Sequence, residues 1–275
     1  MIRQSIKIQL MTIMGKKTYM FVVLLIFGLI FTNFLINVFT FRGTDVVDMY
    51  DPMKLLTISH WSSLSSLFTQ FYPLIVVLAS GFSLLHDKET EMITYWFARV
   101  GRRAYYIGNI VASFIAAFLA FTVPFLIEVV LNCISFPLNA NGDPSGISSY
   151  LGDIGKEARN YLLFPLYYQN TFLYIVVSIF MLGLVSGILA VFTNAFAFFP
   201  LKFKILLFLP VYVLLFCLSN VRKLINLDIY TNYSYYISAY DSSFKSGIAF
   251  AWFLILVSLF SLLIYYKKGK GDYFK

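Results

Sequence analysis

Residues 86–109 read HDKETEMITYWFARVGRRAYYIGN, a charged island between two long apolar runs. It carries Asp87, Lys88, Glu89, Glu91, Arg99, Arg102 and Arg103. Met92, Ile93, Trp96, Phe97 and Val100 recur at helical spacing and predict one stripe on a short helix. Asp87, Glu89 and Glu91 then fall in its first turns and the three arginines near its end, each sign where the helix dipole favours it. Gly101 is the expected terminator. Such an aromatic and arginine-bearing knob suits a partner protein's groove. It equally suits a helix resting on lipid, with Tyr95 and Trp96 as anchors.

What surrounds the island sets the fold class. Of the 275 residues 60% are apolar and 12% charged, against roughly 45–50% and about 25% in soluble domains. The apolar residues arrive in uninterrupted blocks, which predicts an all-α integral membrane protein of six transmembrane helices. The spans fall at about 19–41, 64–85, 107–131, 171–192, 205–221 and 247–266, and residues 1–275 form a single transmembrane domain. Residues 86–106 are the segment between spans 2 and 3. Residues 1–18 form an N-terminal amphipathic interfacial helix, with Ile6, Leu10, Ile13 and Met14 on one face and Arg3 and Lys7 on another. The first span is too long for a signal-peptide core and lacks a small-residue cleavage site, so it is expected to stay.

Fourteen of the 21 Lys and Arg lie in the N-terminal stretch, the island, the turn after span four and the C-terminal tail. That asymmetry places both termini and the island in the cytoplasm. Clustering at span ends also assigns the net charge of +8 to the lipid surface rather than to nucleic acid. Arg222 and Lys223 fit this scheme poorly, because they stand just outside span five.

Inside the spans, Asn33 and Asn37 share a face and should meet protein rather than lipid. Pro73 should kink span two. Gly183 and Gly187 form a GxxxG pair that permits close helix approach. Outside them, residues 42–63 form a short external loop with a surface helix near 53–60. Its Asp45, Asp48 and Asp51 lack the glycine and distal glutamate of a calcium loop. Lys156, Glu157 and Arg159 mark a second external helix, and Tyr230, Tyr233, Tyr235, Tyr236 and Tyr240 a third external segment.

Catalytic patterns are absent. The chain has no GxxxxGK[ST], HExxH or GxSxG, and only two cysteines and two histidines, so it reads as a non-enzyme without a metal site. Glu128 is the acid inside an apolar run. Lying 21 positions past Ile107, it is expected near the outer interface, reaching water or pairing with Lys156 or Arg159. The competing reading puts it, with Asn33 and Asn37, along a substrate path.

Gly81-Phe82-Ser83, His86-Asp87-Lys88-Glu89, Phe97-Ala98-Arg99-Val100-Gly101-Arg102 and Tyr105-Tyr106 resemble the corresponding turn of bacterial ABC-exporter permeases of the second, six-span class. Glu91-Met92 stands where that family usually has Gly-Thr, and Asn109 where a Lys is frequent. The layout of the whole chain is similar to that family's. The resemblance implies that the island is a cytoplasmic coupling helix, with Asp87, Glu89, Met92, Ile93, Trp96, Phe97, Arg99 and Arg102 docking an ATPase. It implies two ABC ATPase subunits that bind ATP and Mg, no cofactor in this chain, and a second permease, identical or homologous. It implies a plasma-membrane exporter of a peptide, antibiotic or lipid-like cargo. Two alternatives stay open: a non-transporting sensor or immunity protein using the Tyr-rich segment, and an ATP-independent secondary transporter.

Overall fold

The computed structural model describes residues 2–140, 161–200, 203–225, 233–240 and 247–269. In chain order the helices are α1 (Ile2–Met14), α2 (Lys17–Thr40), α3 (Ser65–Ser80), α4 (Ser83–Glu89), α5 (Met92–Val100) and α6 (Arg102–Ser135). They continue as α7 (Phe164–Gln169), α8 (Thr171–Phe196), α9 (Leu209–Ile225), α10 (Ser234–Ile237) and α11 (Gly247–Gly269). Among the described residues the one strand-like feature is a bridge between Ser59 and Ala239.

Among the described residues four helices, α2, α6, α8 and α11, are long and apolar enough to cross a membrane. A fifth crossing forms if α3 and α4, bent by 45°, count as one. The expected fifth span opens as a 3-10 turn (Lys204–Phe208), and its apolar part, Lys204–Asn220, is shorter than the others. Seventeen residues cover about 25 Å, the lower edge of spanning length. The helix itself runs on through Arg222 and Lys223 to Ile225, so those cations belong to α9 rather than to a loop.

The bend in the second apolar run is not at its proline. α3 continues unbroken through Pro73, and the chain turns at Gly81–Phe82. A Cβ at Gly81 would lie 2.6 Å from Thr193 Cγ2 on α8, so the turn sits in direct contact with its neighbour.

α6 and α8 form the centre. Half of the α6 apolar window and 61% of that of α8 are buried, against 22% for α2 and for α11. Lipid is as apolar as Leu, so helices in a membrane associate through small residues and polar contacts. The chain follows this rule. A Cβ at Gly187 would come within 2.6 Å of the Phe114 ring, and one at Gly183 would overlap Thr122 Oγ1. The GxxxG pair therefore receives side chains of α6 rather than a second small-residue face. Gly108, Ala112, Ala116 and Ala120 form a separate small-residue ladder on α6, all buried, whose Gly108 meets Ser5 and Gln9 of α1. Tyr19 on α2 donates to the Ala116 carbonyl at 3.3 Å.

The N-terminal stretch is a 13-residue helix, and its packed face differs in part from the expected one. Ile13 is buried and Ile6 and Leu10 half-buried, but Met14 is exposed. The polar Ser5 and Gln9 are buried as fully as Ile13. Gln9 donates to the Tyr105 carbonyl at 3.0 Å, and Ser5 sits where a Cβ on Gly108 would go. α1 thus rests on α6 through a hydrogen-bonding face. Ile8 and Met11 are exposed on its other side.

Candidate functional site

The charged island folds as two short helices, not one. α4 ends at Glu89, and Glu91 turns the chain in the left-handed region (φ 55°) before α5 begins. Asp87 and Glu89 consequently stand at the end of α4, and not in the first turn of α5 as the charge pattern suggests. Gly101 does terminate α5, with φ 83°. On α5 the stripe points inward in part: Ile93, Trp96, Phe97 and Val100 are half-buried. Phe97 packs on Tyr105 and Tyr106, with ring centroids 5.5 and 5.6 Å away, and Trp96 lies 6.4 Å from Tyr105. Arg102 sits 5.5 Å above the Phe97 ring. Met92, Tyr95 and Arg99 stay exposed on the opposite side.

Three consecutive residues tie this elbow to three different elements. Tyr105 of α6 donates to Asp87 at 2.6 Å. Lys88 donates to the Ala197 and Phe198 carbonyls at 2.8 and 3.2 Å, capping the negative end of α8. Glu89 pairs with Lys204, ahead of α9, at 2.7 Å. These bonds connect α4, the inner arm of the elbow, to α6, α8 and the turn before α9 separately.

Behind the elbow lies a buried polar knot. Asn194 of α8 donates to the Ser80 carbonyl at 3.1 Å and to Ser113 Oγ at 2.7 Å, and its carbonyl accepts from Ser83 Oγ at 3.3 Å. Asn109 donates to Ser83 at 3.2 Å and accepts from Tyr265 of α11 at 3.0 Å. The knot joins the bend to α6, α8 and α11. Its serines satisfy amides that would otherwise be costly in a low-dielectric interior.

At the other end of the bundle the loop before α3 goes inward. Pro52–Lys54 form a 3-10 turn, and Met53 and residues 55–59 are buried, so the expected surface helix is a buried loop instead. Four polar side chains of the spans hold it. Glu128 Oε1 accepts from Thr57 N at 2.8 Å, Thr57 Oγ1 at 2.7 Å and Asn33 Nδ2 at 3.1 Å. Asn33 and Asn37 donate to the Leu55 carbonyl at 2.9 and 2.8 Å, and Asn132 to that of Pro52 at 3.2 Å. Glu128 is fully buried, so it meets this loop where water was expected. Its proposed loop partners Lys156 and Arg159 lie outside the described residues. Asn33, Asn37 and Glu128, read together as a possible path, do converge, and in this conformation they grip the chain's own backbone. Glu128 Oε2 and Asn132 Oδ1, one helical turn apart, have no hydrogen-bond partner among the described residues.

A roof of tyrosines covers the loop. Tyr161, Tyr167, Tyr174 and Tyr240 pack ring against ring, with centroids 5.2 to 6.4 Å apart. Ala239 N donates to the Ile58 carbonyl at 2.8 Å and His60 N to that of Ala239 at 3.2 Å. Burial holds the Tyr240 phenol well above its ordinary pKa, and Asp51 is raised as well, chiefly by burial against Met53 N–H and Lys54, which lower it. Tyr230 lies outside the described residues, and Tyr233 and Tyr236 pack nearer α3 and α11.

No three His, Cys, Asp or Glu side chains among the described residues converge on a metal-sized site. The two ends differ in kind: one is an elbow with a free outer face, the other a loop locked inside a bundle. Comparison of the chain with protein-family models, with curated proteins and with solved structures gives no match.

Proposed function

We propose that the chain is the membrane-spanning permease subunit of an ATP-driven exporter, moved by separate ATPase subunits docked on α5. The observation that carries this reading is the elbow with its three ties at Asp87, Lys88 and Glu89. A loop that merely joins two spans needs no bonds to three other elements. A lever that passes motion into a bundle does. The resemblance of residues 81–106 to the turn of the six-span export class supports the same reading. In this reading α3–α4 and the helix that includes α9 are the second and fifth of six spans, and α5 is the coupling helix.

The inward placement of Trp96 and Phe97 refines the docking surface. These rings brace α5 on Tyr105 and Tyr106, while Met92, Tyr95 and Arg99 meet the ATPase. At the opposite end the loop at 52–60 closes the cargo route, and Glu128, Asn33 and Asn37 hold it shut. The cargo is a peptide, antibiotic or lipid-like molecule, and a second permease completes the path.

The test is purification of the tagged chain from its native membranes, with sequencing of what accompanies it. An ATPase bearing a GxxxxGK[ST] loop should be retained, and the triple variant Met92→Ala, Tyr95→Ala, Arg99→Ala should lose it by about 30-fold or more, as expected for central contacts. A chain that purifies without any such ATPase, or a triple variant that keeps it undiminished, refutes the reading.

A further inference from the structure

The connection between α1 and α2 meets the α3–α4 bend and the Lys204–Phe208 turn around a cleft of about 510 Å³. Half-buried Leu78, Phe82 and Phe208 supply an apolar floor, and the lining also carries the cations Lys16, half-buried, and Lys17 and Lys204, both exposed. Glu89 on the rim is already paired with Lys204.

The cations are placed against their own helix. Lys16 is the N-cap of α2 and Lys17 its first residue, with no side-chain cap and no acid in the first turn. The N-terminus of a helix is its positive end, where cations are disfavoured and anions welcome. Burial lowers the pKa of Lys16, and the charge of Asp87 offsets this only partly. An anion seated between the lysines would reverse each of these penalties together. The floor then decides what kind of anion. Phosphate alone would leave Leu78, Phe82 and Phe208 wet, whereas a lipid covers the cations and the floor at once.

We propose that this cleft binds an anionic phospholipid, its phosphate among Lys16, Lys17 and Lys204 and an acyl chain along Leu78, Phe82 and Phe208. Phe82 is the pivot of the α3–α4 bend, so an occupied cleft steadies the base of the elbow. The proposal rests on the membrane character of the chain and not on the exporter reading. A protein that binds this lipid and never binds an ATPase would leave it intact.

The full chain is placed in nanodiscs of phosphatidylcholine mixed equally with phosphatidylglycerol, extracted, and its retained lipid identified by native mass spectrometry. Phosphatidylglycerol should be retained in preference, and Lys16→Gln, Lys17→Gln, Lys204→Gln together should reduce its retention by about tenfold or more. Arg3→Gln with Lys7→Gln removes two exposed cations from α1, outside the cleft, and should leave retention unchanged. The single variant Lys17→Glu, at an exposed position, gives the same reading should the triple variant misfold. Equal retention of the two lipids refutes the proposal, as does an equal loss in the α1 variant, which would mean diffuse surface charge. Displacement of the lipid by inorganic phosphate would mark a soluble-anion site and also overturn it.

Discussion

Replacing Glu128 by alanine should free the buried loop, and the size of the effect follows from its hydrogen bonds. Glu128 Oε1 accepts from Thr57 N, Thr57 Oγ1 and Asn33 Nδ2. Asn33 keeps the Leu55 carbonyl, so the loss falls on the two Thr57 donors. Stranding two buried donors costs about 1–3 kcal/mol each, and relief from burying a carboxylate returns part of it. A net loss of about 2–4 kcal/mol remains for the loop's closed state. Glu128→Gln keeps an oxygen acceptor and adds an amide donor near Asn132 Oδ1, which lacks a partner. That variant should stay within about 1 kcal/mol of the parent. The assay places a cysteine at Ile58, which is 1% exposed, in a chain lacking Cys133 and Cys217. Labelling by a membrane-impermeant maleimide then reports opening. Two kcal/mol corresponds to about 30-fold, so the alanine variant should label at least that much faster than the parent and the glutamine variant should not. An alanine variant as protected as the parent would show that Glu128 does not hold the loop. A glutamine variant as labile as alanine would show that charge, rather than acceptor geometry, does.

Two further outcomes follow from the packing and from Asp51. Gly187→Leu should cost several degrees of melting temperature in detergent by driving into the Phe114 ring, with partial rescue by Phe114→Ala, whereas Gly28→Leu, with nothing within 4 Å of its Cβ, should be neutral. Asp51 has its folded-state pKa raised, mainly by burial, so its contribution to the closed loop is full below the ordinary carboxylate pKa and is lost as pH rises through the folded value. Labelling at position 58 should therefore accelerate as pH climbs above about 4, the ordinary carboxylate value, and Asp51→Asn should flatten that dependence.

The apolar blocks made the helical, membrane-length character of the chain plain, because span length and hydrophobicity are properties of the sequence itself. The GxxxG pair was legible for the same reason, since only glycines leave room for the Phe114 and Thr122 side chains. The Gly108-Ala112-Ala116-Ala120 ladder carried an equal signal and went unread. The division of the island into two helices was hidden, because it depends on Glu91 entering the left-handed region, where a non-glycine residue is uncommon. Asn33 and Asn37 were recognisable as protein-facing, yet their partner is a loop that composition marks as external. Thr57 gave no warning at all. Its value comes from Glu128, 71 residues away, and neither residue's neighbours in sequence announce the other. Asn194 could have been found: an amide deep in an apolar run needs partners, and Ser80, Ser83 and Ser113 were there to supply them.

α6 has 34 residues and so measures about 51 Å, while the hydrocarbon layer is about 30 Å thick. Tyr105, which holds the elbow, and Glu128, which holds the loop, are both mounted on it, roughly 35 Å apart along its axis. They are two marks on one rod. If the rod pivots near its middle, an inward swing of a few ångströms at Tyr105 is an outward swing of similar size at Glu128. The bonds at Thr57 tolerate only a fraction of an ångström before they break. A helix that moves as one body, Pro124 included, is then enough to link the hydrogen bond at Tyr105 to those at Thr57, with no chain of side-chain rearrangements running between them.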